Sequence, residues 1–183
     1  FCFFVAPSKA ANLVAHWPLD ETSGDTVKDA VGNHHGKFVG GSAKWVAGKF
    51  SNGLEFKGPN QHVEVPKSKD LEIQSLTLIA WVNFKALGGR QEVVSYSDNY
   101  AIMQDSTFRA FIHQGGGWPM ANGVTIVKVD TWYQTAITFD KKEIKLYVNG
   151  KLDGKTAAAN IDYQNFPLWF GGGPADNSFW LTG

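Results

Sequence analysis

Carboxylates are the first residues to weigh, because two of them held on one face can cleave a glycosidic bond. A retaining pair stands about 5 Å apart, and the alternation of an extended chain supplies that separation when acidic residues recur at short even spacings. Asp70 and Glu72 in KSKDLEIQ have the i, i+2 spacing, while Glu92 in GRQEVV stands alone. No Glu-x-Asp-x-x-Glu triplet occurs, so Asp70 and Glu72 read as a solvated turn before the apolar run that follows. The chain also has no Gly-x-Ser-x-Gly elbow, no His-Glu-x-x-His pair and no cysteine other than Cys2, which removes the usual nucleophile and zinc-hydrolase patterns. A non-catalytic chain is predicted.

Oxygen ligands come next. Asp29-Ala30-Val31-Gly32-Asn33-His34-His35-Gly36 is a Gly-containing loop carrying Asp and Asn, the donor chemistry that Ca²⁺ takes from carboxylates, amides and carbonyls. Asp29 and Asn33 equally suit a plain turn whose side chains bond their own backbone, and both readings stand at this point. His34 and His35 are adjacent, so in an extended segment they point to opposite faces and do not share one tetrahedral zinc. His16, His62 and His113 are scattered over separate runs and are assigned no role.

Loop aromatics and polar groups form the third set. A sugar site combines an aromatic plate for the apolar face of the ring with amides, carboxylates or Arg for the hydroxyls. Trp118 in HQGGGWPMANG sits between three Gly and a Pro, and Arg90 in ALGGRQE, Asp98 and Asn99 in YSDNY, and Trp180 in FWLTG are loop groups that could join it. Binding and packing are both open for Trp118, and packing is favoured for Trp180. Trp17, Trp81, Trp132 and Trp169 fall inside strand patterns and read as packing residues.

The elements that must position these groups are short. From Leu13 onward, runs rich in Val, Ile, Phe, Trp and Tyr are separated by Gly, Asn, Asp and Pro, the pattern of an all-β sandwich or barrel. Thirteen strands are predicted, beginning with Leu13 to Leu19. In KEIKLYVNGKLDG, Ile144, Leu146 and Val148 alternate with Lys145 and Tyr147, and Asn149-Gly150 supplies a two-residue hairpin turn. SLTLIAWVNF lacks alternation, which predicts a central strand covered on both faces. Pro66, Pro119, Pro167 and Pro174 fall between runs.

Hydrophobic residues make up 43% of the 183 and aromatic residues 14%, too many for a disordered segment. Seventeen basic residues balance seventeen acidic ones with no basic stripe, which argues against nucleic acid and against an anionic membrane surface. No apolar stretch reaches the roughly 20 residues of a membrane-spanning helix. Residues 1–12, FCFFVAPSKAAN, resemble the tail of a secretory signal peptide with cleavage near Ala10 or Ala11, or a disordered leader; an ordinary N-terminal strand is the other reading.

Four segments in order carry a family resemblance. LVAHWPLDETSGDTVKDAVGNHHGKFVGG, KFSNGLEFKGPNQHVEVP, LTLIAWVNF and WYQTAITFDKKEIKLYVNGKLDG resemble the successive segments of bacterial laminin-G-like jelly-roll domains, in the concanavalin A-like lectin/glucanase superfamily. The resemblance runs from about residue 13 to the end, so the domain division is 1–12 leader and 13–183 jelly roll. It implies a two-sheet antiparallel β-sandwich and a structural Ca²⁺ held by Asp29, with Gly32, Asn33 and His35 as further donors. Such domains usually finish on a strand with an Ile-Asp-Glu-Val-like motif, which this sequence does not carry, so the C-terminal strand is expected to be missing and one sheet edge or centre to be left unpaired. The expected function is non-catalytic binding of carbohydrate or an extracellular protein by a monomeric module of a larger secreted or cell-surface chain. A glycoside hydrolase or polysaccharide lyase of the same sandwich, and a structural spacer without ligand, are the alternatives.

Overall fold

The computed structural model describes residues 12–173 and 179–183. Residues 1–11 of the expected leader, and Pro174, lie outside them. Alternating apolar residues drive two antiparallel layers together. The larger sheet runs in the order β1 (Thr26–Val27), β2 (Gly36–Val39), β5 (His62–Val65), β14 (Leu168–Phe170), β7 (Gln91–Ser95), β8 (Tyr100–Asp105), β9 (Thr107–Ile112) and β10 (Met120–Ile126). The smaller runs β13 (Lys151–Ala157), β12 (Glu143–Val148), β11 (Trp132–Phe139) and β6 (Leu76–Asn83), and β3 (Lys44–Ala47) pairs with β4 (Asn52–Glu55) as a separate hairpin. The chain is an all-β antiparallel sandwich, as the alternation predicts.

Period-two patterning sets the core. In β12 Ile144, Leu146 and Val148 are buried, and in β11 Tyr133, Thr135, Ile137 and Phe139 are. They meet Val63, Val65, Ile102, Phe108, Ala110 and Ile112 of the larger sheet in one apolar cluster, whose burial drives folding. Asn149 and Gly150 both take positive φ, 50° and 76°, the geometry of the predicted hairpin turn. Asp140 Oδ1 accepts from the Lys142 and Glu143 amides at 3.0 Å each, closing the turn before β12. Outside the core, a second cluster of Ala101, Met103 and Phe111, with Met120 against it, occupies the outer face of the larger sheet.

Two expectations need correction. Leu13 to Leu19 is not a strand. The His16 amide is taken by Asp29 Oδ1 (2.9 Å), the Ala30 amide bonds the His16 carbonyl (2.7 Å), and Leu19 takes a φ of 60°; loop partners replace a ladder there. β6 is neither central nor covered on both faces: among the described residues it pairs only with β11. Ile79 and Trp81 on its outer face are 57% and 37% exposed, so Trp81 is not the buried packing residue expected. The apolar run mixes inward residues with outward ones left exposed, Trp81 meeting Phe50 edge-on at 5.3 Å and the Lys49 ammonium at 5.3 Å.

Near Gly183 the backbone is held on two sides. Phe56 and Gly183 exchange N–H···O bonds of 2.7 and 3.0 Å, and the Lys85 amide bonds the Thr182 carbonyl at 2.8 Å.

Candidate functional site

The outer face of β7 gathers the polar groups that matter. A β-bulge between Glu92 and Val94 shifts the register against β8, so that Glu92, opposite Met103, and Ser95, opposite Ala101, reach the same outer face although three residues apart. Val93 and Val94 turn into the core instead. Arg90, just before the strand, lays its guanidinium 4.1 Å from the ring centre of Phe179 and 5.5 Å from that of Phe111, and pairs through Nη2 with Glu92 Oε1. Phe179 is fixed in turn by its carbonyl, which accepts from the Glu92 amide at 2.9 Å. Arg90, Glu92, Ser95, Ser97, Asp98, Gly173 and Phe179 line one narrow crevice.

The crevice is polar where it should be dry. Glu92 is 2% exposed and Ser97 3%, yet among the described residues Glu92 Oε2, Ser97 Oγ and Arg90 Nε find no hydrogen-bond partner. Each such atom costs on the order of 1–3 kcal/mol when buried unsatisfied. Burial pushes the Glu92 carboxyl up from the usual range, Arg90 and the Ser95 hydroxyl pull it back, and Asp98 adds to the upward push. Gly173 makes the fit possible: a Cβ there would stand 2.7 Å from Glu92 Oε2. Ser97 adopts a φ of 51° at the turn into β8, a strained choice for a residue other than Gly.

Of the five binding residues read from the sequence, the structure brings Arg90 and Asp98 into this crevice. Trp180 adjoins it: half-buried, it packs 5.9 Å from Trp169 and 5.7 Å from His62, which stack on each other at 3.6 Å. Asn99 is fully buried. Its Oδ1 accepts from the Gln164 amide at 2.6 Å and its Nδ2 donates to the Gln164 carbonyl at 3.3 Å, so it clamps two loops together. Trp118 is 49% exposed and tilts 5.7 Å from His113, whose amide bonds the Asn99 carbonyl. It lies outside the crevice, on the hairpin beyond that clamp.

Sequence reasoning missed Ser97, Gly173 and Phe179. The Arg90-x-Glu92 spacing was a usable signal for a shared strand face. Phe179 had none, because its partner lies 89 positions away in sequence.

A laminin-G family model described as the Concanavalin A-like lectin/glucanases superfamily matches residues 56–182. The chain belongs to the concanavalin A-like lectin/glucanase superfamily. The match to this superfamily begins at Phe56, short of the segment from Leu13 that also resembles it. No curated protein sequence matches. Among solved structures, domain 4 of AbnA, a GH43 extracellular arabinanase from Geobacillus stearothermophilus in complex with arabinotriose, is similar at TM-score 0.69 and 16% identity, over 93% of this chain and 87% of that one. A putative carbohydrate binding protein from Bacteroides ovatus matches at TM-score 0.56 and 16% identity, over 73% and 43%. Trypanosoma rangeli sialidase in complex with the inhibitor DANA matches at TM-score 0.62 and 14% identity, over 89% and 28%. The concanavalin A-like chain thus spans less than half the length of the last two, and at these identities the likeness is one of fold.

The Asp29 loop of this concanavalin A-like domain is organised by hydrogen bonds to one carboxylate. Asp29 Oδ1 accepts from the His16 and Val31 amides at 2.9 and 3.0 Å, and Oδ2 from the His34 amide at 3.1 Å. Burial pushes the carboxyl up, but these amides and that of Gly32 together outweigh it and bring it down to about 2. His35 Nδ1 accepts from the Asp29 amide at 3.0 Å, and Asn33 is exposed. The Asp29 carboxylate is thus ringed by backbone N–H donors, the turn chemistry that the sequence also offered. Among the described residues no three His, Cys, Asp or Glu come together as a metal site. Asp70 lies in a 3-10 turn, Lys69–Leu71, with its side chain 78% exposed, and Glu72 pairs with Lys67 at 3.1 Å, a solvated turn.

Proposed function

We propose that this domain is a non-catalytic carbohydrate-binding module, carried outside the cell as one part of a longer secreted or surface chain. The observation that carries the reading is the crevice of Arg90, Glu92 and Ser97, where three buried polar atoms lack partners among the described residues beside two phenyl rings. Hydroxyls both donate and accept, so a saccharide is the ligand class that satisfies a guanidinium N–H, a carboxylate oxygen and a serine hydroxyl together. The fold-level neighbours agree, since domain 4 of the arabinanase is seen with arabinotriose and the Bacteroides ovatus protein is described as carbohydrate binding.

A binding role is favoured over bond cleavage. Glu92 and Asp98 share the crevice, but Glu92 Oε1 is tied to Arg90, and the space beside them holds about one water-sized group, too little to admit a sugar ring with its scissile bond. Titration calorimetry with arabino-, xylo- and galacto-oligosaccharides tests the reading. Saturable binding to at least one series, without release of shorter sugars, is the expected result. Turnover abolished by Glu92→Gln would overturn it, as would silence toward every sugar at millimolar concentration.

A further inference from the structure

The crevice carries more than a place of binding, and this step rests on the carbohydrate reading above. Its size is the first observation: between these side chains there is room for about one water-sized group. A pyranose or furanose ring does not enter. What enters is a single substituent at the edge of a ring, a hydroxyl or the hydroxyl of an exocyclic hydroxymethyl arm.

Charge is the second observation. One guanidinium, Arg90, faces two carboxylates, Glu92 and Asp98; on the same sheet face Arg109 is engaged by Asp105 at 3.4 Å, and Lys37 stands three strands away on β2. Arg90 cannot swing out toward an anion, because Phe179 and Phe111 sandwich it and Glu92 holds its Nη2. A carboxylate arriving here would meet two like charges in a desolvated setting, where repulsion is far stronger than in water. A hydroxyl arriving here accepts from Arg90 Nε or donates to Glu92 Oε2, the two charged atoms of the crevice without a partner among the described residues.

We propose that this crevice receives one exocyclic hydroxyl arm of a neutral sugar, and that Glu92 with Asp98 excludes sugars bearing a carboxylate at that position. The site is thereby a selectivity filter for neutral glycans against uronic acids, which differ at that carbon only in CH₂OH against COO⁻. Asp98 acts through charge at the half-exposed mouth, and Glu92 through charge and direct contact at the buried end.

The test is calorimetry on the intact chain with matched oligosaccharide pairs, galactose against galacturonate and glucose against glucuronate. The neutral member of the recognised pair should bind at least about tenfold more tightly, a difference of one decade in Kd. Asp98→Asn and Glu92→Gln should each cut that ratio several-fold, chiefly by strengthening the acidic member. Because Glu92 is buried and its variant can fail to fold, salt supplies a second measurement: raising ionic strength should narrow the ratio in the wild type and leave Asp98→Asn less affected. A ratio unmoved by Asp98→Asn and by salt, or a wild type that prefers the uronate, would overturn the filter while leaving carbohydrate binding intact. Failure to bind any member of either series would overturn both.

Discussion

Arg90 and Phe179 are joined face to cation at 4.1 Å, although 89 positions separate them in sequence. The contact holds the guanidinium over the crevice while its Nη2 serves Glu92. Phe179→Ala removes one plate of that sandwich, a contribution of about 0.5–2 kcal/mol. The expected outcome is a roughly tenfold loss of affinity for the recognised oligosaccharide, read by calorimetry, with secondary structure unchanged by circular dichroism.

Trp118 tests whether the binding surface extends past the crevice. Its ring is half exposed and packs only on His113 among the aromatics, so Trp118→Ala should leave unfolding free energy within about 0.5 kcal/mol of wild type. Longer oligosaccharides should lose affinity in the variant and short ones should not, because Trp118 stands beyond Asn99 from the crevice. Equal affinities for long chains would confine the site to β7 and Phe179.

Asn99 separates a structural role from a ligand role. Asn99→Ala strips both side-chain bonds to Gln164 and leaves the part-buried Gln164 amide without its partner, while the Gln164 carbonyl keeps the Phe166 amide at 3.1 Å. The cost should be about 2–3 kcal/mol, measured by urea denaturation, with crevice affinity retained at temperatures where the variant is folded.

Asp29 sets the acid limit of stability. Its folded value of about 2 lies below the ordinary 3.8, so the unfolded chain binds a proton first as pH falls. The stabilisation, about 2 kcal/mol, is present above pH 4 and is lost progressively as pH drops toward 2. Asp29→Asn should be less stable at pH 7 and show a shallower decline below pH 4. Glu92 works in the opposite sense: its carboxyl is raised, so its contribution is greatest at low pH and falls as pH rises past its unfolded value. Added Ca²⁺ or chelator should leave the wild-type Tm unchanged, since the Asp29 oxygens already accept amide protons.

The fold was legible where local rules act alone. Strict alternation in Ile144, Leu146 and Val148 and the turn chemistry of Asn149-Gly150 locate β12 and its hairpin without reference to the rest of the chain. Legibility failed where a partner far away decides. Leu13 to Leu19 has strand-forming residues, yet the Asp29 carboxylate claims the His16 amide. Trp81 looks like a core residue until its outer face proves uncovered. At the site, Arg90 and Asp98 were readable as loop polar groups, but not their convergence on Glu92, which depends on one bulge residue, Val93, changing which side chains share a face.

Sheet order has a consequence for synthesis. β14, only three residues long and starting at Leu168, lies between β5 and β7, which the ribosome makes about a hundred and about eighty residues earlier. The larger sheet therefore cannot be zipped from one end as the polypeptide emerges. Its two halves must wait, edges bare, until nearly all of this domain has left the exit tunnel, which makes the interval between translation of β7 and arrival of β14 the period when a chaperone has most to protect.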